Sequence, residues 1–312
     1  MFGELRARIA GLAENGTLSE LEGLYRTAVE RREVLPNGRL LSAVIPYWAT
    51  GDRVPDDLEQ MPQYLDPFAR RFNEAPSPLT GAVYAQALLQ LAGMERGAAW
   101  AHETEPSQWA GFAAALSTAQ SVLDAANPHG EDHYFWLEVS SEIGQVTGMS
   151  DAAREALFER AWSLDRINIS LFGGHMQSLL PRWSGRDGRY ADLFARRVLE
   201  LTGAELGCGG YLVAYSYWAS YPSNPQVEFE EAVLDQSLMR QGYYDLLQRY
   251  PESLVMRNTL ACTMSWMGDE DLVKQQFDSG LRLIDHDSWG GVTEFMSLDR
   301  AARAFTYARE VA

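Results

Sequence analysis

Residues 254–284 read LVMRNTLACTMSWMGDEDLVKQQFDSGLRLI. Leu260, Ala261 and Met264 fall on one face of a helix, Gly268 marks a turn, and Phe277 and Gly280 lie on a second helix. Val273, Phe277, Leu281 and Ile284 continue that second stripe at helical spacing, and Asp269-Glu270-Asp271 stands where a helix start favours negative side chains. Two helices joined by so short a connection pack as antiparallel neighbours.

The same period runs through the rest of the chain. Trp109, Phe112, Leu116, Ala119 and Leu123 form one stripe, and Trp136, Val139, Ile143 and Val146 another. Leu157, Phe158, Ala161 and Trp162 form a third that stops at Asp165, and Phe295, Leu298, Ala302 and Phe305 a fourth. Alternating β-branched runs bounded by turn residues are missing, so nothing supports strands. The stripes are separated by Asn15-Gly16, Pro36-Asn37-Gly38, Pro76-Ser77-Pro78, Asn127-Pro128, Gly148-Met149-Ser150, Pro222-Ser223-Asn224-Pro225 and Gly290-Gly291. Ser150 before Asp151, and Thr17 with Glu20 three residues on, read as N-caps. The expectation is an all-α chain of about fourteen helices, each of about 10 to 20 residues.

The pair at 254–284 resembles a tetratricopeptide helix pair, in which small residues allow close approach and an aromatic ring fills the groove. Phe158, Ala161, Leu164 and Asp165 are similar to the close of a second such repeat, although the usual Trp, Tyr and Pro positions are mostly not kept. The resemblance implies antiparallel helix pairs stacked as a right-handed, tetratricopeptide-like solenoid; a non-repetitive helical bundle is the alternative. A further segment, Leu179-Leu180-Pro181-Arg182-Trp183-Ser184-Gly185 followed by Phe194-Ala195-Arg196-Arg197, resembles the L-x-PRW-x-G signature of an uncharacterised, mainly bacterial helical-repeat family (a domain of unknown function). Pro76-Ser77-Pro78, Arg96-Gly97-Ala98-Ala99-Trp100 and the aromatic helix from Phe112 to Leu123 keep that family's order, whereas Ser184 stands where the family tends to carry Gly. The likeness spans roughly Leu5 to Tyr221. It implies a helical domain over 1–221, continued by further helix pairs over 222–312, and brings no reaction and no catalytic residue with it.

Composition narrows the partners. The chain has 312 residues, with 26 Lys and Arg against 43 Asp and Glu, a net charge of −17. A surplus of acid argues against phosphate backbones and anionic membranes, so neither nucleic acid nor membrane is an expected partner. Cys208 and Cys262 are too few for a disulfide framework, and Met1 to Ala13 carries Glu4, Arg6 and Arg8 where a signal peptide would be apolar. A cytoplasmic location is expected, with no cofactor and no metal.

Several groups of residues could carry function, each with a plainer reading beside it. Arg182, Trp183, Arg186 and Arg189, with Arg196 and Arg197 beyond, form a basic run on an acidic chain and could hold a carboxylate or another anion; they could equally pair with Asp187 and Asp192 as surface ion pairs. Tyr211, Tyr215 and Trp218 share a helical face and could line a solenoid groove, or pack between helices. His129 and His133 are spaced as metal ligands, but Pro128 and Gly130 place His129 before the helix. Cys262 with His175 or His286 could form a thiol and base, or Cys262 could be a small core residue. Gly207-Cys208-Gly209-Gly210 lacks the preceding strand of a phosphate loop. Glu228, Glu230 and Glu231 read, like Asp269 to Asp271, as helix starts.

The expected function is therefore a non-enzymatic helical-repeat scaffold that binds a protein or peptide through Arg182, Trp183, Arg186 and Arg189, or through Tyr211, Tyr215 and Trp218. Two alternatives are an enzyme or small-molecule binder with a polar site between helices, drawn from His133, Glu138, His175 and Arg182, and an acidic immunity-type protein that neutralises a basic partner.

Overall fold

A computed structural model describes residues 2–14, 17–35, 40–51, 54–97, 102–127, 130, 133–166, 169–179, 188–219, 233–285, 287–289, 301–306 and 309. The regular elements among these residues are all helices, with no strand among them beyond a single bridge between Val34 and Leu40. The contacts divide the chain into two units, Met1–Val34 with Leu40–Asp165, and Leu35–Arg39 with Arg166–Ala312.

The first unit holds α1 (Phe2–Glu14), α2 (Leu18–Arg31), α3 (Leu41–Gly51), α4 (Met61–Glu74), α5 (Pro78–Arg96), α6 (Pro106–Ala125), α7 (Tyr134–Thr147) and α8 (Asp151–Leu164). Its odd-numbered helices touch in series, α1 with α3, α3 with α5 and α5 with α7, while α6 lies along α5 and α8 along α7. The central helix α5 is rich in alanine and starts cleanly. Ser77 caps it by accepting from the Thr80 amide at 3.1 Å, and Thr80 returns the bond to the Ser77 amide at 2.9 Å. Ser150 caps α8 by accepting from the Ala153 amide, as its place in the sequence implies. Thr17 does not cap α2: its backbone stands at φ −86°, ψ 43°, outside the extended region of a capping residue, and its hydroxyl donates to the carbonyl of Leu12.

The second unit holds α9 (Ile169–Leu179), α10 (Arg189–Leu206), α11 (Gly209–Ala219), α12 (Gln236–Arg249), α13 (Leu254–Trp266) and α14 (Glu270–Asp278), and residues 301–306 are helical as well. Here α11 is the hub, touching α9, α10, α12 and α13. The Pro-rich break at 222–225 lies outside the described residues, and α12 beyond it packs on α11 before it, so both fall in one unit.

The stretch at 254–284 folds as the sequence reading expects, with one difference. α13 and α14 pack on each other across Gly268, whose φ of 70° is left-handed and suits glycine. Gly280 is not on the second helix: α14 ends at Asp278, and Gly280 turns the chain away with φ 98°. Leu281 is nevertheless buried, so the hydrophobic stripe outlasts the helix that began it.

Candidate ligand site

The sequence candidates scatter. Arg182, Trp183 and Arg186 lie outside the described residues, as do His129, His286, Glu228, Glu230 and Glu231, and the side chain of Trp218 is also outside them. Arg189 is exposed at the first position of α10. Tyr211 and Tyr215 are wholly buried. The Tyr211 hydroxyl donates to Asp192 at 2.5 Å and accepts from the Asp235 amide at 2.8 Å, while Arg196 bonds Asp192 at 2.8 Å and Asp235 at 3.4 Å. Tyr215 donates to the Val233 carbonyl at 3.2 Å. Tyr211 thereby anchors the start of α12 to α10 and α11, which is a packing role. Cys262 is buried in α13, and His175 is buried against the Phe194 ring at 4.7 Å. In the glycine-rich turn, the Cys208 amide is already given to Asp245 at 2.7 Å.

A different set converges within the first unit. His133, the residue just before α7, stacks on Tyr25 of α2 with ring centres 5.1 Å apart and planes 16° apart. Four residues separate Tyr134 from Glu138 and Glu138 from Glu142, so all three sit on one side of α7, and Phe135, Val139 and Ile143 fill the core from another. From α3, Tyr47 donates its hydroxyl to Glu142 at 2.9 Å, and its ring is held edge-on against Phe135 at 5.1 Å. From α5, the Gln86 amide also donates to Glu142. Four helices thus bring two carboxylates, an imidazole, a carboxamide and phenols together.

Tyr47 and Glu142 are each partly accessible. Gln86 is only 4% accessible, and its Oε1 atom has no hydrogen-bond partner, nor has His133 Nδ1. Burial pushes the Glu142 carboxyl up, against the bonds from Tyr47 and Gln86 that pull it down. The Tyr47 hydroxyl is held well above its ordinary value, first by burial and then by the charges of Glu138 and Glu142. Burial lowers His133 to about 4, so it is neutral at pH 7. Among the described residues no group of three or more His, Cys, Asp or Glu could hold a metal ion.

Sequence reading picked out His133 and Glu138 from this set and missed Tyr25, Tyr47, Gln86 and Glu142. One signal was there to be read: Gln86 stands between the apolar Ala85 and Ala87 near the middle of a helical stretch, where a buried amide has to be answered. Glu138 and Glu142 at i, i+4 look, in one dimension, like any solvated helix face.

Among the described residues no helix is long and apolar enough to cross a membrane. No family model, curated protein or solved structure matches this chain.

Proposed function

We propose that this chain is a non-enzymatic helical-repeat binding protein of the cytoplasm, and that it holds a protein or peptide ligand against the partly accessible Tyr47 and Glu142, where α3, α5 and α7 meet. The contacts of α1, α3, α5 and α7 in series support a solenoid, since stacked pairs present one helix of each repeat along a common face. Tyr47, Gln86 and Glu142 belong to that row. The observation that carries the reading is the meeting of Tyr47, Gln86 and Glu142 from three helices at a partly accessible point, with an acceptor left over on Gln86. Cys208 and Cys262 form no disulfide, in keeping with a reducing interior.

Peptides selected by display on the full chain test the reading. The expected outcome is that Tyr47→Phe and Glu142→Gln weaken the selected peptides, while charge reversal at Arg186 and Arg189 leaves them unchanged. Peptides that ignore Glu142 and are lost on reversing Arg186 and Arg189 would move the site to the arginine-rich segment and overturn the assignment. A free small molecule at the same point is the second reading, favoured by the meeting of Tyr47, Gln86 and Glu142 from separate helices.

A further inference from the structure

We propose that the cavity between α1, α3 and the start of α4 is a binding site for a small, uncharged, ring-bearing molecule with an amide edge, such as an aromatic carboxamide or a lactam. This goes beyond the reading above and does not rest on it. Ala49, which lines the cavity, stands two residues after Tyr47 on α3, so the two side chains leave that helix on different sides.

The cavity measures about 290 Å³. Its floor is apolar: Ala10 and Ala13 of α1, Ala49 of α3 and Phe68 of α4 all line it and are all buried. Alanine on α1 and α3 leaves the room, because a larger side chain at the same positions would fill the space. Gln60, Gln63, Tyr64, Pro67 and Phe68 recur every three or four residues, so they share one face where the chain enters α4. Asp57 fixes the start of that face by accepting from the Glu59 amide at 2.9 Å. Tyr64 is held twice: its hydroxyl donates to the Thr50 carbonyl in the last turn of α3, and its ring meets Phe68 edge-on with centres 5.4 Å apart. With its hydroxyl taken, Tyr64 offers a ligand its ring.

What the lining offers sets the ligand. Among the described residues none that lines the cavity is charged, so an ion that entered would lose water without gaining a counter-charge. The net charge of −17 adds a further penalty for an anion. The polar groups are carboxamides: Gln60 and Gln63 are exposed at the rim, and each carries a donor beside an acceptor. Pro67 has no amide hydrogen to return to the Gln63 carbonyl four residues before it, so the helix leaves a backbone acceptor beside these amides. An amide edge answers that set, its N–H meeting a carbonyl and its C=O meeting a carboxamide nitrogen. Size agrees with a ring. A cavity of about 150 Å³ takes benzene, so this one has room for a fused ring or for one ring with its amide, and it lies at the lower end, about 300 Å³, of small-molecule sites.

Calorimetric titration of the full chain with benzamide, indole-3-acetamide, 3-methylindole, indole-3-acetate and tryptamine decides the matter, since the indoles share a ring and differ in amide and charge. Binding of either amide is the expected result, with 3-methylindole weaker by about three- to tenfold for its missing hydrogen bonds and the two charged indoles weaker still. Ala13→Leu, which fills the floor, should abolish binding. Replacing both Gln60→Ala and Gln63→Ala, at exposed positions, should weaken the amides about three- to tenfold and leave 3-methylindole unchanged; it serves as the test should Ala13→Leu not fold. Tyr47→Phe and Glu142→Gln should change nothing. No binding of either amide, equal binding of the charged indoles, or an affinity indifferent to both Ala13→Leu and the glutamine pair overturns the proposal. Loss of binding in Glu142→Gln would merge this site with the other and overturn it as well. Tighter binding of N-acetyl-tryptophan methylamide than of indole-3-acetamide would give the cavity to a peptide side chain and overturn the free molecule.

Discussion

At the scale of single residues, the cluster stores two opposite pH dependences. His133 falls from 6.5 to about 4 on folding, so the unfolded chain takes up its proton first as pH drops. Its contribution is complete above pH 6.5 and is lost as pH falls from there to about 4, by up to about 3 kcal/mol. His133→Phe keeps a ring on Tyr25, and urea denaturation at pH 7 and pH 4.5 should show a smaller acid loss in the variant than in the parent. Glu142 works the other way: its carboxyl is raised in the fold, so its ionised form opposes folding at neutral pH and the penalty fades as pH falls through the carboxylate range. Glu142→Gln should therefore leave the melting temperature at pH 7 equal to or above the parent's while ligand binding drops. A structural carboxylate would show the reverse, a lower melting temperature. Neither dependence is legible in one dimension, because His133 and Glu142 owe their environments to Tyr25, Tyr47 and Gln86, which are distant in the chain.

At the scale of elements, close approach at glycine separates packing from propensity. A Cβ placed on Gly242 of α12 would lie 2.6 Å from the Cys208 carbonyl oxygen and 3.0 Å from Leu212 Cβ, so α12 could not sit where it does against the start of α11. Gly203, inside α10, has nothing within 4 Å of the same position. Gly242→Ala should cost about 1–3 kcal/mol by overpacking, whereas Gly203→Ala should stabilise by about 0.5–1 kcal/mol through helix propensity. Chemical denaturation of both variants checks the pair, and equal effects would mean that the approach of α11 and α12 does not depend on glycine. The cap that the sequence implies at Ser150 forms, whereas the one implied at Thr17 does not, because the Thr17 backbone is not extended there. The end of α14 was missed for a related reason: apolar spacing carries on through Leu281, while Gly280 has already turned the backbone.

At the scale of the molecule, a charge of −17 should act on any cation that approaches. Raising salt from low to high should weaken the capture of lysine-rich peptides several-fold by slowing association, and an affinity independent of salt would show that local contacts alone supply the attraction. Helical class was decided by local chemistry: 3.6-residue periodicity, short glycine and proline breaks and capping side chains all act within a few residues, so one dimension holds them. Which residues meet was decided by the third dimension. Tyr211 and Tyr215 share a face that reads as a groove lining, and the return of α12 onto α11 closes over it, turning them into buried anchors. Tyr25 and His133, and likewise Tyr47, Gln86 and Glu142, lie far apart in the chain and meet only when α2, α3, α5 and α7 pack, because contact is a property of distance in space, which periodicity along the chain does not encode.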